Sequence, residues 1–552
     1  MNSFFNAINQ IDMPVRVLVL ASILVILIAI KHIHIMQLNS YNFDQQIIWY
    51  KKNLNSFISF MVLALIVFLN LLIQKNTSVN FYKSISTLIS LIIILIILLV
   101  ILIENLPRKQ KKKLVYTNRI KRLLAICLII FLIVFIFSFI ANTNENIRVA
   151  SLLLVVAFSP LFIFFAFCIS LPIENGIRKK FMNEAKAIID ANADLFVIGI
   201  TGSFGKTSVK YYLSTILKSK YSVCMTPESF NTAMGATLTI KNDLRNIDDI
   251  FICEMGARRV GDIKEICDIV SPNGAIITDV GNMHLDTFKT IENVLNTKFE
   301  LVESAVHSRK TCKFGENPIL VNGDNELIRK KVIDSFGITE RRYIKYYGFN
   351  KENTFYADSI VSSDKGTKFR FNSESNVCEE FETRLLGKYN IMNLVAAISY
   401  SLLIGVDMPT IKNAIKSIEP VPHRLQILPY GSNDLIIDDA YNSNPLGARN
   451  AVDVLSSFDG YTKVLITPGM VELSDKQDTE NEKFAEYAGS KVDYAIVVGH
   501  TNKIALDKGF GKSLPKDKLL NIERIEDAIN YVRLNISGKK VILLENDLSD
   551  NY

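Results

Sequence analysis

The stretch GITGSFGKTS, Gly199–Ser208, decides the fold of the larger part of this 552-residue chain. It follows the apolar run Leu195–Ile198 and precedes residues with a helical pattern, so we expect a strand, a tight turn and a helix. Backbone N–H groups at such a helix N-terminus face an anion, and a Gly-Lys-Thr sequence there is typical of a phosphate-binding loop. The loop is short, because Ile200 occupies the usual position of the first glycine, which stands instead at Gly202.

The side chains of this loop suit a nucleoside triphosphate and its magnesium ion. Lys206 can reach the β- and γ-phosphates, and the hydroxyl of Thr207 can ligate magnesium. Gly202 and Gly205 permit the turn that brings backbone N–H groups close to the phosphates. The predicted ATP-binding residues of the loop are Gly202, Ser203, Phe204, Gly205, Lys206, Thr207 and Ser208.

Further polar side chains follow predicted strands. Glu254 closes a strand at 249–255, and a carboxylate at that edge of a parallel sheet is well placed to hold magnesium. Taken alone, Glu254 is better explained as a solvent-facing glutamate at a strand end. His284 follows another strand, predicted at 275–280, although a lone histidine is usually structural. On spacing alone, Lys298 is a solvated helix lysine.

Beyond Lys180 short β-branched runs alternate with helical stretches, which predicts a parallel sheet with helices on both faces. Residues 354–382 predict antiparallel strands, and a helix is expected at 391–403. Pro420 and Pro422 indicate a boundary, after which a second alternating pattern predicts a smaller, Rossmann-like C-terminal domain. The predicted parts are a membrane region at 1–180, an ATP-binding central domain at 181–420 and a C-terminal domain at 421–552.

The first part is apolar enough to lie in a membrane. It holds five runs of about the length, roughly 20 residues, that crosses a hydrocarbon core. Buried helices of a soluble core are the alternative, but five such runs argue against it. Four further spans after the first also argue against a cleaved signal peptide. The predicted transmembrane helices lie at about 13–30, 57–73, 84–103, 123–140 and 149–171.

Basic segments predict the orientation of these helices. Arg108–Lys113 and Arg178–Lys180 are rich in lysine and arginine, which favours the cytoplasmic side. The segment Ala141–Arg148 holds a single arginine and is expected outside. With five spans, a multi-pass protein of the cell membrane follows, with its N-terminus outside and its catalytic domains in the cytoplasm.

The net charge of +7 requires no nucleic-acid partner. Much of it lies in these basic segments, where attraction to anionic lipid is worth about 1 kcal/mol per basic residue. Membrane lipid is therefore the expected partner of the first part. The seven cysteines include no Cys-x-x-Cys pair, so neither a disulfide nor a cysteine zinc site is predicted. The sequence sets no oligomeric state.

Several short motifs follow Asn192 in one order: TGSFGKTS, ESFNTAMG, CEMG, GNMHLD, TKFE, VNGD, LLGKYNIMNLVAA, PHRLQ and DDAYNSNP. This order resembles the Mur ligase family of ATP-dependent amide-forming enzymes. The resemblance covers Asn192–Leu473 and continues more weakly to the end of the chain. It also explains the short loop, because this family uses Thr-Gly-x-x-Gly-Lys-Thr.

The resemblance implies ATP, two magnesium ions and three catalytic residues, Lys206, His284 and Lys298. Lys206 would bind the terminal phosphates, Thr207 and Glu254 one magnesium ion, and His284 the second. Lys298 matches the lysine that the family carbamylates, which converts an amine into a carboxylate-like metal ligand. That reaction requires a neutral amine, which burial and nearby cations can provide.

Other matching positions would contact the substrates. Asn231 and Thr232 fall in the loop that meets the acyl substrate. Arg424 and Asp439 would approach ATP from the last domain. The positions near adenine and ribose are Asn322, Asp324, Asn390 and Asn393.

The implied activity is that of a membrane-anchored, ATP-dependent peptide ligase that forms an acyl phosphate. It would join D-Ala-D-Ala to the muramoyl-tripeptide of a peptidoglycan precursor, which is either UDP-linked or lipid-linked. A poly-γ-glutamate- or other capsule-type ligase is the alternative. A P-loop ATPase coupled to transport is less favoured, because charges within the spans are nearly absent. A non-catalytic anchor is disfavoured by the intact Lys206, Glu254, His284 and Lys298.

The chain also departs from the family pattern. The usual UDP-sugar domain is missing, and the predicted spans stand in its place. Tyr389 stands where histidine is common, and His423 where glycine is. Leu544–Asp547 replaces a Lys-Gly-Ser-type motif. These departures leave the nucleotide half of the resemblance intact and fall on its substrate half.

Overall fold

The computed structural model of the chain describes residues 13–39, 41–54, 57–58, 61–62, 64–69, 114–140, 145–228, 230–281, 283, 285–308, 314, 317–363, 366–374, 377–430, 434–440, 444–471, 473 and 476–546. The chain divides into two compact units, Met1–Lys179 and Lys180–Tyr552.

The elements described in the first unit are helices. Its described helices are α1 (Met13–Leu38), α2 (Phe43–Lys52), α3 (Asn118–Ile140) and α4 (Glu145–Ala191), the last of which continues into the second unit. An apolar core is shared by α1, α3 and α4. A polar contact joins α3 and α4, where Arg122 donates two hydrogen bonds to Glu174, at 2.6 and 2.8 Å.

Three of the described helices are long and apolar enough to cross a membrane. The qualifying segments are Ala21–Leu38 in α1, Asn118–Phe137 in α3 and Leu154–Ala191 in α4. They coincide in part with the spans predicted at 13–30, 123–140 and 149–171. The span predicted at 57–73 is only partly described, and the span at 84–103 lies wholly outside the described residues.

The second unit begins with a nine-stranded sheet. Its strands are β1 (Phe196–Thr201), β2 (Val223–Met225), β3 (Ile250–Met255), β4 (Gly274–Ile277), β5 (Ile319–Asn322), β6 (Ile344–Gly348), β7 (Phe355–Ser363), β8 (Gly366–Ser373) and β9 (Cys378–Thr383). The order across the sheet is β2-β3-β1-β4-β5-β6-β7-β8-β9. Pairing is parallel from β2 to β7 and antiparallel from β7 to β9, so the predicted antiparallel strands extend the same sheet.

Helices cover both faces of this sheet. They are α5 (Lys206–Leu217), α6 (Ala233–Asn242), α7 (Asp262–Val270), α8 (Leu285–Phe288), α9 (Ile291–Val306), α10 (Glu326–Ser335), α11 (Ile338–Arg341), α12 (Lys388–Leu403) and α13 (Met408–Lys416). In β1, Ile198 and Ile200 face the core formed with α5, α12 and α13, whereas Val197 faces the core formed with α6, α7, α9 and α10. This alternation explains why β1 is buried throughout.

The second sheet has six strands and, with its helices, forms a smaller α/β domain. Its strands are β10 (Gln426–Tyr430), β11 (Asp434–Asp439), β12 (Thr462–Thr467), β13 (Tyr494–Val498), β14 (Leu519–Ile522) and β15 (Lys540–Glu545), in the order β10-β11-β15-β12-β13-β14. Only β10 is antiparallel to its neighbour. The accompanying helices are α14 (Pro445–Ser456), α15 (Gln477–Gly489), α16 (Lys503–Phe510) and α17 (Ile525–Asn535), with a 3-10 turn at Lys516–Lys518.

The predicted fold class is therefore confirmed: N-terminal helices, a mainly parallel sheet with helices on both faces, and a smaller Rossmann-like sheet. One boundary differs in a way that matters for the site. A strand is predicted at 275–280, but β4 ends at Ile277. From Thr278 the chain leaves the sheet, and Thr278 Oγ1 donates a hydrogen bond to the Phe204 carbonyl at the phosphate loop.

Candidate active site

The phosphate-binding loop lies between β1 and α5, where the sequence predicts it. Gly205 is the N-cap of α5 with φ of +80°, a conformation that favours glycine. A Cβ atom at this position would lie 2.3 Å from Asn393 Oδ1. Since the cap residue has no side chain, no cap oxygen occupies the first N–H groups of α5. The helix N-terminus can therefore receive an anion.

Lys206 lies folded over the same loop. Its Nζ donates to the carbonyl oxygen of Gly202 at 2.8 Å and to that of Ser203 at 3.3 Å. Burial lowers the pKa of Lys206, and the nearby charge of Glu254 opposes that shift. Arg424 from the C-terminal domain is close enough for its charge to lower the same pKa. The phosphate-binding loop thus contains one basic side chain, Lys206, and a second, Arg424, lies near it.

Glu254 stands at the centre of a second group of polar side chains. It is 1% exposed, at the end of β3. Its Oε1 accepts hydrogen bonds from Thr207 Oγ1 at 3.1 Å and from Asn231 Nδ2 at 3.3 Å. Three residues predicted for magnesium or substrate binding therefore meet at one carboxylate. The neighbouring Thr232 caps α6, because its hydroxyl accepts a hydrogen bond from the N–H of Gly235.

Lys298 is buried in α9 with 3% of its surface exposed. Burial lowers its pKa to about 7, and the charge of Lys206 contributes to the shift. A lysine with this pKa is largely neutral just above neutral pH, unlike the solvated helix lysine that its sequence position suggests. Because the charge of Lys206 affects the pKa of Lys298, Lys298 lies near the phosphate-binding loop.

A cavity of about 600 Å³ lies between the central and C-terminal domains. Its walls include residues from both, such as Tyr389 on α12 and Arg449 on α14. Asp279, which follows β4, also lines it, and burial raises the pKa of that carboxyl. The residues predicted to bind ATP that line this cavity are Phe204, Asn322, Asp324 and Asn393.

Some residues that are predicted to contact the nucleotide form hydrogen bonds within the protein or are buried in it. Asn390 Oδ1 accepts from Tyr212 Oη at 2.9 Å, and its Nδ2 donates to the Leu386 carbonyl. It therefore connects α12 with α5. Ser203 exchanges hydrogen bonds with the backbone of Gly281. Ser208 is buried in α5.

Two predicted residues belong to the C-terminal domain. Asp439 lies at the end of β11, where burial raises its pKa to about 7, with a smaller contribution from the charge of Glu545. Arg424 has a charge that opposes this shift, so it lies near both Asp439 and Lys206. His423, at a usual glycine position, has a left-handed φ of +59°, which explains why glycine suits it.

Lys210 is a residue of this region that the sequence did not single out. It lies one turn after Lys206 on α5, and its Nζ is 3.0 Å from Glu254 Oε2. Both side chains are almost fully buried. A lysine within a helical pattern carries no signal of burial, so spacing alone could not have identified it.

The donor set around Glu254 fits magnesium. The site offers a hydroxyl and a carboxylate, the hard oxygen ligands that magnesium prefers. In the described part of the chain, no group of three or more His, Cys, Asp or Glu residues is placed to hold a metal ion. Magnesium bound through substrate phosphates needs only one or two protein carboxylates. His284, predicted as a ligand of a second ion, lies outside the described residues.

Comparisons with known proteins agree with this geometry. The chain matches the family model described as Mur ligase middle domain over residues 200–400, and the one described as Mur ligase, glutamate ligase domain over 423–545.

Three relatives share the name UDP-N-acetylmuramoyl-tripeptide–D-alanyl-D-alanine ligase. The relative from Bacillus subtilis (strain 168) is 27% identical and covers 63% of this chain and 72% of its own. The one from Buchnera aphidicola subsp. Baizongia pistaciae is 30% identical, covering 59% and 70%. The Escherichia coli (strain K12) relative is 28% identical, covering 63% and 75%.

Solved structures show a similar fold. MurF ligase from Thermotoga maritima in complex with ADP gives a TM-score of 0.57 at 23% identity, covering 67% of this chain and 80% of that one. MurF from Acinetobacter baumannii gives the same TM-score and identity, covering 67% and 77%.

Proposed function

This chain belongs to the Mur ligase family, and on that premise we propose that this ATP-dependent peptide ligase joins D-alanyl-D-alanine to a muramoyl-tripeptide of a peptidoglycan precursor. The shared name of its relatives supports this pair of substrates. The observation that carries the proposal is the meeting of Thr207, Glu254 and Asn231 beside the phosphate loop. That arrangement places a candidate metal carboxylate and a candidate substrate amide within one site.

ATP would bind with its phosphates at the N-terminus of α5 and its nucleoside in the cavity between the domains. Lys206 already lies over the loop and needs only to turn from the carbonyls of Gly202 and Ser203 toward the terminal phosphates. Asn322 and Asn393 line the cavity with polar groups that suit a base and a ribose. Thr207 and Glu254 would hold a magnesium ion, which would neutralise charge on the phosphate oxygens.

The reaction would proceed in two steps. A carboxylate oxygen of the tripeptide attacks the γ-phosphorus of ATP, and the bond to the bridging oxygen of ADP breaks, which leaves an acyl phosphate and ADP. The amine of the dipeptide then attacks the acyl carbon, phosphate leaves, and the amine loses a proton. Charge increases on the transferring phosphoryl group, where Lys206 and Arg424 are the available cations.

The acyl phosphate must be protected from water between these steps. The C-terminal domain contributes Leu446, Arg449 and Tyr487 to the cavity wall, and the central domain contributes Phe204 and Met392. Approach of these two walls around ATP would exclude water from the intermediate. Asp439 and Arg424 would come nearest to the phosphates as the domains close.

Lys298 would be carbamylated and would serve as an additional oxygen ligand. The neutral amine attacks the carbon of carbon dioxide, a carbon–nitrogen bond forms, and a proton leaves the nitrogen. The pKa of about 7 supports this proposal, because the amine is unprotonated to a useful extent at the pH of the cytoplasm.

The helical first unit would anchor the enzyme in the cell membrane. Apolar side chains of α3 are widely exposed: Leu128 is 62%, Ile133 62% and Phe137 73% exposed. Such a continuous apolar surface is unusual in water and suits contact with lipid. The N-terminus would lie outside and the catalytic unit in the cytoplasm, where ATP is available. A lipid-linked precursor would then reach the enzyme within the same membrane.

An assay with the full-length protein in lipid nanodiscs tests the substrates. ATP, magnesium, UDP-muramoyl-tripeptide and D-Ala-D-Ala are supplied, and amide product and phosphate are both measured. One phosphate per amide is expected, and Lys206→Ala provides the inactive control. A parallel reaction uses a lipid-linked muramoyl-tripeptide, which identifies the carrier. Activity with glutamate as the only effective amine contradicts the proposal and supports the capsule-type alternative.

A further inference from the structure

Lys210 occupies an unusual position for a lysine. Its side chain has no exposed surface, and its Nζ lies 3.0 Å from Glu254 Oε2, in a carboxylate that is itself 1% exposed. The same Nζ donates a hydrogen bond to the carbonyl oxygen of Glu228. A buried charge is costly unless it is paired, and the Glu254 carboxylate provides that pairing. Together with the Glu228 carbonyl, which accepts its hydrogen bond, it fixes the position of the ammonium group.

The Glu228 carbonyl belongs to the described residues 226–228 and 230–232, here called the acyl loop because Asn231 among them is proposed to meet the acyl substrate. Glu228 has a φ of +38°, a strained conformation for a residue with a side chain. Such strain persists only where surrounding contacts hold it. Lys210 supplies one of those contacts, since it binds the carbonyl of the strained residue itself.

Further contacts join the acyl loop to the end of β3. The N–H of Gly256 donates to the Asn231 carbonyl at 2.6 Å. Asn231 Nδ2 donates to Glu254 Oε1, and the N–H of Glu254 donates to Thr226 Oγ1 at 3.0 Å. A Cβ atom on Gly256 would lie 2.7 Å from Cγ of Asn231, so the two segments pack without spare room. The acyl loop and Glu254 therefore form one connected set, with Lys210 bound to both.

The two oxygens of Glu254 have different partners. Oε2 is next to Lys210, whereas Oε1 is next to Thr207, the other proposed magnesium ligand. An ammonium beside one oxygen fixes the rotation of the carboxylate and turns the other oxygen toward the metal position. Magnesium demands near-ideal octahedral geometry, so a small rotation of this carboxylate is expected to weaken binding.

We propose that Lys210 is a positioning residue, which orients Glu254 for magnesium and holds the acyl loop through the Glu228 carbonyl, so that metal and acyl-substrate binding are coupled. The acyl-substrate part rests on the proposed function. The magnesium part requires only that the protein binds a magnesium nucleotide.

Lys210→Met removes the charge at nearly constant length, and Lys210→Arg keeps a cation. The matched control is Lys540→Met, because Lys540 is also a buried lysine, 7% exposed, with Nζ 3.2 Å from Asp434 Oδ2 in the C-terminal domain. The first measurement is binding of a fluorescent ADP analogue by the full-length protein as magnesium is titrated. We expect Lys210→Met to raise the half-saturating magnesium concentration about tenfold or more. Lys210→Arg is expected to show a smaller shift and Lys540→Met none.

The second measurement separates the two substrates in steady-state kinetics. Lys210→Met is expected to raise the KM for the muramoyl-tripeptide more than the KM for ATP at saturating magnesium. A purely structural role predicts instead that Lys210→Met and Lys540→Met lower the melting temperature alike, with no change in magnesium dependence. That result, or equal magnesium shifts in folded Lys210→Met and Lys210→Arg, overturns the proposal.

The outcomes remain distinguishable from failure of the proposed function. If the wild-type protein makes no amide from these substrates, the nucleotide titration still reports on Lys210. If Lys210→Met does not fold, Lys210→Gln keeps a donor for the Glu228 carbonyl without the charge. An unchanged magnesium midpoint in that variant contradicts the inference.

Discussion

At the scale of single residues, Lys298 shows how burial changes the chemistry of an ordinary side chain. Desolvation, helped by the charge of Lys206, lowers its pKa to about 7. The neutral fraction of the amine therefore rises as the pH passes upward through about 7, whereas a solvated lysine stays charged until about pH 10. Carbamate formation at constant dissolved carbon dioxide is expected to follow the same rise.

Removal of this amine tests the carbamate. Lys298→Ala is expected to lower kcat/KM by about a hundredfold, because it deletes a proposed metal ligand. Short carboxylates such as acetate or propionate are expected to restore part of the activity by occupying the vacated position. Nuclear magnetic resonance with carbon-13 bicarbonate is expected to show a carbamate signal in the wild-type protein only. Full activity of Lys298→Ala without added carboxylate removes the assignment.

Two features of Gly205 oppose a side chain: its positive φ and the close approach of Asn393. Gly205→Ala is expected to raise the Kd for ATP about tenfold or more, since strain at positive φ and the approach of Asn393 both oppose it. Gly460→Ala is the matched control, because Gly460 has a φ of +79° and no atom within 4 Å of the added methyl group. Its Kd is expected to remain unchanged. Equal effects of the two substitutions on ATP binding contradict a specific role of the loop.

The residues that could be predicted were those whose function depends on local sequence. Gly205 to Thr207 form a contiguous motif between a strand and a helix, so their placement follows from neighbours in the chain. Lys210 could not be predicted, because its partner Glu254 is 44 residues away and only the folded sheet brings them together. The position of Asn390 in the interface of two helices depends likewise on packing rather than on spacing.

At the scale of elements, the order of strands explains why distant motifs converge. β1 lies between β3 and β4, and all three run parallel. Their carboxyl ends therefore meet at one edge, where the phosphate loop, Glu254 and Asp279 follow. The alternation of short apolar runs with helical stretches was sufficient to predict this parallel sheet. It was not sufficient to predict β6 and β14, which are only five and four residues long and are recognised by their pairing with neighbouring strands.

The α5–α12 interface offers a test of the role of Asn390. Asn390→Ala and Tyr212→Phe both remove the hydrogen bond between the helices, and each is expected to lower stability by about 1–3 kcal/mol. Neither is expected to change the Kd for ATP by more than about twofold, a difference of ~0.4 kcal/mol. Asn393→Ala, at a residue that lines the cavity, is expected to raise that Kd. A rise of similar size in Asn390→Ala shows that Asn390 contacts the nucleotide instead.

At the scale of the whole molecule, the chain joins a Mur ligase fold to a first unit, Met1–Lys179, whose described elements are helices. Three of the five predicted spans coincide in part with described helices that are long and apolar enough to cross a membrane, because length and hydrophobicity suffice to define such helices. The sequence provides no motif for the chemistry of that unit, since helix contacts such as the Arg122–Glu174 pair join residues 52 positions apart.

Cysteine labelling of intact cells tests the membrane topology. Glu145→Cys lies at the start of α4, in the segment expected outside, and is expected to react with a membrane-impermeant maleimide. The exposed native Cys378 on β9 serves as the internal control. It is expected to react only after the membrane is permeabilised. Protection of residue 145 or labelling of Cys378 in intact cells contradicts the orientation.

The central claim is that this site activates a carboxylate with ATP, and transfer of oxygen-18 tests it most directly. The muramoyl-tripeptide is prepared with oxygen-18 in its free carboxylate and is converted to amide by the full-length enzyme. The released phosphate is analysed by mass spectrometry. Phosphate that carries one oxygen-18 atom from the substrate is the predicted result. Unlabelled phosphate, formed while amide accumulates, would contradict an acyl phosphate at this site.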